Sequence, residues 1–349
     1  MTGIILTQYN GKIIGPIAKL LGYLMNAIFE FLNMIKIPNI GLSIIIFTIV
    51  IYLLLMPLTI KQQKFSKLSA KMNPELQAIQ KRYKDKKDND SMMAMNAETK
   101  AVYAKYGVSP SGSCLQLLIQ MPILFALYRV IYNMPAYVTR IRDAFGVIAD
   151  SIIASGKVSE IQNLKVAAAY ARNFAIDERN AVIDVLYVMN NKDLAAYATG
   201  HEDVLEQISH FNNFLGINIA NSPSFMISDA WNAEGGPQIL LIIAALLIPL
   251  LSAFTQWLNV KLMPQQAQQD DKNVSDQQAS MQQSMKMMNN FMPIMSAVFC
   301  FTLPSGMGLY WIVGAVVRSI QQVLINKHID KMDIDEVIKK NEEKQKKKL

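Results

Sequence analysis

The sequence predicts an all-α integral membrane protein, and three observations carry that reading: composition, long apolar stretches and the placement of Lys and Arg. Hydrophobic residues make up 52% of the 349 positions and charged residues only 17%, against about 25% charged in a soluble domain. A helix needs roughly 20 apolar residues to cross the hydrocarbon core, and five stretches approach that length. The expected architecture is a five-span helical bundle with a cytoplasmic helical hairpin, an outer interfacial amphipathic helix and a helical extracytoplasmic insertion.

Residues 1–40 form the outer N-terminal part. Pro16 suits the first turn of a helix, and the stretch 16–36 is apolar but interrupted by Lys19, Asn26 and Glu30. Such a stretch reads as an amphipathic helix lying in the interface; the alternative, a sixth span, would upset the orientation derived below. No cleavable leader is expected, since the first cysteine is Cys114 and no lipoprotein cleavage site lies near residue 1.

Span 1 covers 41–60. In 61–110, Phe65, Leu68, Met72, Leu76 and Ile79 recur at three- or four-residue spacing, the period of a helix with one apolar face. The run KDKKDND at 84–90 interrupts it, and a second helix follows from about Ser91 to Tyr106. These two helices read as a cytoplasmic hairpin; a solvated loop that only enforces topology is the plainer alternative.

Span 2 covers 111–134, and the insertion 135–236 holds four helix-like stretches within a length that suffices for a small domain. Span 3 covers 237–259, a polar Gln- and Met-rich connection 260–287, and span 4 288–303. Pro304-Ser305-Gly306-Met307-Gly308 supplies turn residues before span 5 at 306–325. The tail 326–349 ends in KKNEEKQKKKL, a composition expected to stay disordered.

Orientation follows from the bias of basic residues toward the cytoplasmic loops. Segment 61–107 holds 11 basic and 5 acidic residues, 135–236 holds 7 and 12, and 326–349 holds 8 and 6. The two basic segments are therefore assigned inside and 135–236 outside, with the N-terminus out and the C-terminus in.

Little in the chain suits an enzyme or a cofactor. No nucleophile and base pair, phosphate loop or metal cluster is visible; His201-Glu202 lacks the second His of a zinc helix. Cys114 and Cys300 sit in apolar stretches without the spacing of a disulfide frame or a zinc site. The 21 methionines are ordinary apolar filler or, alternatively, a surface adaptable to many partners.

Polar residues at membrane depth are costly and face water or a partner. Arg318 is the one to explain, because Trp311, Gly314, Arg318 and Gln321 share a helix face. Snorkelling toward the inner interface is the plain alternative. Gln116 and Gln120 share a face of span 2, and Thr48 and Tyr52 a face of span 1. These groups converge on a wet cavity or serve helix–helix hydrogen bonding. Arg129, near the outer end of span 2, reads as an interfacial anchor.

Three stretches carry a family resemblance: LLLMPLTIKQQKFSKLSAKMNPELQAIQKRYK (53–84), LLIQMPILFALYRVIY (117–132) and MKMMNNFMPIMSAVFCFTLPSGMGLYWIVGAVVRSIQQVLI (285–325). Together with FLGINIANSPSF (214–225), they resemble the YidC-type membrane insertases, which include the mitochondrial oxidase-assembly and chloroplast Albino proteins. QMP, LPSG and LYW occur in the family's order, and the likeness covers about 40–134 and 211–326.

The resemblance implies a hydrophilic groove open to the cytoplasm and the lipid. Through it a nascent membrane protein passes a short polar segment while its apolar segment enters the bilayer. It implies no nucleotide or other cofactor, and as partners nascent membrane proteins, the lipid bilayer, the Sec translocon and the ribosome, the last through 61–107 and 326–349. A bacterial cell membrane is the expected location. The groove residues are expected to be Thr48, Tyr52, Gln116, Gln120, Tyr310, Trp311, Arg318 and Gln321. One departure stands out: the family's first-span arginine, five residues before the proline, is Tyr52 here, while Arg318 stands where the family often has an uncharged polar residue. This suggests that the groove's charge has moved from span 1 to span 5. The family also has a shorter connection where this chain has 135–210. A small-solute transporter or channel is the alternative; it would predict internal repeats or broken helices, and no repeat is visible.

Overall fold

A computed structural model describes residues 8–9, 11–83, 86, 88–108, 112–189, 191–233, 235–262, 287, 291–331, 336, 338, 339, 341 and 343. The side chains of 112–117, 119, 169 and 191 lie outside that set. Two compact units form among the described residues. The first falls within Met1–Ile51, Gln120–Phe254 and Met295–Gly314, the second within Tyr52–Ile119, Thr255–Ile294 and Ala315–Leu349.

The first unit begins with α1 (Ile14–Met34), which buries Ala18, Leu21, Met25, Ile28, Phe29 and Leu32 along one face. Two of the three polar residues that argued against a span here are docking groups. Asn26 Oδ1 accepts from the Thr139 amide at 2.9 Å, Glu30 accepts from Arg140 Nε at 2.7 Å, and Lys19 stays exposed. Phe29 meets Phe211 edge-on at 5.3 Å. Leu20, Tyr23, Phe31 and Met34, on other sides of the helix, are exposed.

α2 (Ile40–Leu54) follows, with Asn39 Oδ1 accepting from the Leu42 amide at 3.1 Å at its start. Span 1 was expected to run unbroken over 41–60. Instead the helix breaks at Leu55, and α3 starts at Met56 with a 57° bend. Pro57 is the cause: it lacks an N–H and its ring collides with the carbonyl four residues back.

After α5 (Gly112–Tyr132, with Pro122 inside) comes the short α6 (Met134–Tyr137) and the insertion. Its helices are α7 (Thr139–Ala154), α8 (Val158–Gln162), α9 (Ala171–Phe174), α10 (Glu178–Val188), α11 (Asn191–Tyr197) and α12 (Glu202–Asn212). Ile141, Phe145, Ile148 and Ile152 recur every three or four residues on α7 and are buried against Val182, Val185 and Leu186 of α10 and Ile208 and Phe211 of α12. Asp177 starts α10 by accepting from the Asn180 amide at 3.0 Å, a cap that satisfies one orphan helix donor. Gly200, at φ +85°, separates α11 from α12 within a stretch that reads as continuous helix in sequence.

The mostly helical fold holds one small exception. Asn213–Phe214 and Ile217–Asn218 form a small antiparallel ribbon, β1 and β2, joined by Leu215 and Gly216, both at positive φ. That is the backbone of a tight hairpin turn. α13 (Pro223–Trp231) follows, capped by Ser222.

α14 (Ile239–Leu262), α15 (Phe291–Thr302) and α16 (Ser305–Asp330) complete the apolar helices. By length and apolarity α14 and α16 can each cross a membrane, as can α2 with α3 if the bent pair counts as one span; α15 is shorter. Leu240, Leu250 and Phe254 of α14 are exposed, a surface suited to lipid. The expected turn at 304–308 is shorter than its composition suggests, because α16 already begins at Ser305. Gly308 serves close approach rather than the turn: a Cβ there would lie 2.5 Å from Ile248 Cγ2. The Ser305 and Gly306 amides donate to the Asn221 and Ile219 carbonyls at 2.8 and 2.9 Å, which pins the start of α16 within the first unit.

In the second unit α3 (Met56–Tyr83) and α4 (Asn89–Tyr106) pack on each other. Their seam is Leu68, Met72, Leu76 and Tyr106, with Val102, Tyr103, Val108 and Ile338 packed against it. Glu75 accepts from Lys105 at 2.9 Å and from Tyr106 at 2.7 Å, and Arg82 pairs with Glu98 at 2.5 Å. α16 continues to Asp330, and 336 and 338 are helical; of the run 339–349, expected to be disordered, the described residues 339, 341 and 343 are helical as well. The connection 260–287 lies outside the described residues apart from 260–262 and 287.

Candidate functional site

The C-terminal half of α16 carries a polar face at Arg318, Ser319, Gln321 and Gln322 in the second unit. Its centre is Arg318, which is half-buried. Arg318 Nη1 donates to the Tyr52 hydroxyl, and Nη2 donates to Gln256 Oε1 at 3.3 Å. The guanidinium carbon also lies 5.3 Å from the centroid of the Tyr52 ring, within reach of a cation–π attraction.

Gln321, one turn further along, grips the same residue from the backbone side. Its Nε2 donates to the Tyr52 carbonyl at 2.8 Å, and the Gln321 side chain is buried. The last four carbonyls of a helix have no intrahelical partner. Tyr52 sits in the last turn of α2, just before the break at Leu55. Gln321 therefore satisfies an acceptor that the break leaves open, where an unmet one at membrane depth costs several kcal/mol. Two further bonds join α14 to α16: Asn259 Nδ2 donates to Ser319 Oγ at 3.3 Å, and Gln322 Nε2 donates to the Leu262 carbonyl at 2.8 Å.

No carboxylate lies within ion-pair distance of Arg318 among the described residues. Its partners are a phenol, an amide oxygen and a ring face, none of which neutralises it. A guanidinium has five N–H donors, two of which are accounted for here. The cluster can thus hold an anionic or strongly polar group at a half-buried position.

Of the residues expected to line a groove, the structure brings together Arg318, Tyr52 and Gln321. Thr48 is buried and donates to its own helix at the Ile44 carbonyl, 2.6 Å away. Tyr310 is buried, and Trp311 is half-buried with its ring 6.2 Å from Phe299. Gln120 is exposed, and the Gln116 side chain lies outside the described residues. Arg129 sits over the Tyr9 ring at 4.6 Å. Gln256 was missed, although Gln256 and Asn259 stand three apart in an otherwise apolar span, a polar face of the kind that singled out Arg318. Ser252 and Ser296, buried and 2.5 Å apart, join α14 to α15 in the first unit.

Outside the spans, Asp184 on α10 is the most perturbed acid. Burial pushes its carboxyl up to about 7, against weaker lowering by Asn173 and Asn133, and its Oδ1 has no hydrogen-bond partner among the described residues. No group of three or more potential metal ligands occurs among the described residues.

Comparison with known proteins places these features. The model of the family described as 60Kd inner membrane protein matches residues 31–332. A membrane protein insertase YidC of Fusobacterium nucleatum is 40% identical over 117 residues, 32% of this chain and 55% of that protein. Another, of Oceanobacillus iheyensis, is 45% identical over 95 residues, 27% of this chain and 37% of that protein. The membrane protein insertase MisCA of Bacillus subtilis is 43% identical over 98 residues, 28% of this chain and 37% of that protein. In these three the aligned part spans between 37% and 55% of the relative's length.

Proposed function

The chain belongs to the 60Kd inner membrane protein family, and from that premise we propose that it is a membrane protein insertase of a bacterial cell membrane. Its substrates are nascent membrane proteins. A short polar segment of the substrate is hydrated part-way across by a groove, and its apolar segment is released into lipid. Burial of the apolar segment, at about 25 cal/mol per Å², drives the transfer without a nucleotide.

The topology in this reading has five spans: α2 with the start of α3, then α5, α14, α15 and α16. α1 lies in the outer interface, the insertion is outside, and α3 and α4 form a cytoplasmic hairpin. The basic bias of 61–107 against the acidic bias of 135–236 supports that orientation. The hairpin and the tail 326–349 are the contact points for a ribosome, and the Sec translocon is a further partner.

One observation carries the groove: Arg318, a half-buried cation held by Tyr52 and Gln256 with no carboxylate beside it among the described residues. In this reading Arg318 supplies from span 5 the charge that the family has in span 1, and Tyr52 holds it in place. Gln321 and Gln256 are its polar neighbours in the second unit.

Reconstitution tests both parts. Purified protein in liposomes meets a ribosome translating a small single-span protein, and insertion is read as protease protection. Wild type is expected to insert it, and Arg318→Ala to insert about tenfold less, the scale of losing a charged hydrogen-bond partner. The exchange Tyr52→Arg with Arg318→Ser is expected to recover most of that loss. Equal insertion by wild type and Arg318→Ala would reduce Arg318 to a helix anchor. Insertion no better than in empty liposomes would remove the insertase reading for the protein acting alone.

A further inference from the structure

The C-terminal part of the second unit touches the α3/α4 pair at successive points. Gln321 holds the Tyr52 carbonyl, two residues before α2 ends. Lys67 Nζ, in the first half of α3, donates to the Ile329 carbonyl at 3.2 Å and pairs with Asp330 Oδ1 at 2.5 Å. Ile338 packs against the seam of Leu68, Met72, Leu76 and Tyr106. Asn341 reaches Gly107, just past the end of α4, so closely that a Cβ on that glycine would lie 2.4 Å from Asn341 Nδ2. Gly107, at φ +64°, is also the left-handed cap of α4, a backbone conformation that favours a glycine there.

These contacts differ in chemistry: a buried amide-to-carbonyl bond, an ion pair, an apolar side chain and a close approach to a glycine. They share a direction. Taken in chain order, Gln321 meets the end of α2 at Tyr52, Ile329 and Asp330 meet α3 at Lys67, Ile338 meets the seam of Leu68, Met72, Leu76 and Tyr106, and Asn341 meets Gly107 beyond the end of α4. The pair has reason to need such support. Its seam is a single apolar line, and a two-helix contact leaves one side of that line open to water unless a third element covers it. Ile338 supplies that cover. At the other end, the break at Leu55 deprives α3 of the backbone bonding that would have fixed it to α2.

We propose that the contacts made by Gln321, Asp330, Ile338 and Asn341 act as a splint that positions the α3/α4 pair, with Gln321, Asp330 and Ile338 as positioning residues. The C-terminal segment is then a structural part of the pair rather than a free tail, and the set of the pair depends on whether Ile338 is seated. This holds whether or not the protein inserts others, because the contacts are internal to the second unit.

Hydrogen–deuterium exchange on the full chain in lipid nanodiscs tests it. Ile338→Asp places a charge on the seam and is expected to speed exchange about tenfold or more in 68–79 and 100–106, as the loss of a local packing contact lowers the opening free energy. Asp330→Lys sets like charges together at Lys67 and is expected to speed exchange about twofold over 64–70, as exposed pairs contribute little. Lys67→Asp with Asp330→Lys restores the pair in reverse and should return exchange to the wild-type rate. Exchange in α7 and α10 serves as the folding control and should not change. Wild-type exchange over 68–79 in Ile338→Asp would overturn the splint. So would failure of the reversed pair to restore the rate lost in Asp330→Lys.

Discussion

The insertion and the α3/α4 pair are both polar in sequence and helical in structure, yet they are held together in different ways. The insertion has a layered core: Ile141, Phe145, Ile148 and Ile152 of α7 meet two other helices, and every residue from Ala181 to Tyr187 on α10 is buried. The pair has one seam of four buried residues, and Gln63 Oε1, Ser69 Oγ and Gln80 Oε1 of α3 are buried without a partner among the described residues. Around that seam its ties are ion pairs whose side chains are a third or more exposed. Apolar area buried on several sides gives a body that unfolds as a whole. A single seam with exposed ion pairs gives one that opens locally at low cost. The insertion is built to keep its shape, and the pair is built to respond.

The largest effect should come from the core of the insertion. Phe145 is buried, with its ring 5.7 Å from that of Tyr187, which is also buried. Phe145→Ala should cost about 3–5 kcal/mol, the range for removing a core aromatic and leaving a cavity. Thermal unfolding followed by exchange in α7 and α10 would report it. A loss near that of an exposed site would show the insertion to be as loosely held as the pair and erase the contrast.

The same contrast explains how much could be read in the sequence. The spacing of Leu68, Met72, Leu76 and Ile79 predicted an apolar face on a helix, and those four residues are buried on α3. The stripe around Arg318 was legible because a charge in an apolar stretch demands a partner. What escaped was whatever depends on a residue elsewhere in the chain. Pro57 was visible, but span 1 was carried through it, and the Tyr52 carbonyl in the last turn of α2 is met by Gln321, far away in sequence. Gly308 read as turn chemistry and instead admits Ile248 of another helix. The ribbon at 213–218 rests on Leu215 at φ +54°, a conformation leucine rarely adopts and composition does not announce.

Asp184 is a costly buried polar group of the insertion, and removing its charge should strengthen the comparison. Burial raises its carboxyl to about 7, and the nearby Asp177 adds like charge. Because the folded value lies above the unfolded one, the fold favours the protonated acid. Stability is therefore highest below about pH 4 and falls as pH rises toward 7, where the folded protein must ionise a buried group. Asp184→Asn should abolish that slope and stabilise the insertion above pH 7 by on the order of a few kcal/mol. Unfolding temperatures of the two proteins from pH 5 to pH 8 should diverge as pH rises. Parallel curves would mean that the carboxyl is ionised and satisfied in the folded state.

Glu75 is the opposite case and should show the smallest effect. Burial tends to raise its carboxyl, but hydrogen bonds from Tyr106 and Lys105 and the charge of Lys105 outweigh it and hold the group below the ordinary range. A lowered value reverses the sign: the stabilisation is present above the unfolded pKa and is lost as pH falls through the folded one. Both partners in the ion pair are more than a third exposed, so water screens it, and Glu75→Gln should cost under about 1 kcal/mol. That is too little to move global unfolding, yet enough to change amide exchange a few-fold over 72–79 and 102–106. High salt should produce much of the same change in the wild type, because exposed charges are screened. The insertion, held by apolar area, should ignore both treatments. If salt instead loosened α7 and α10 as much as α3 and α4, the two regions would differ in composition but not in what holds them.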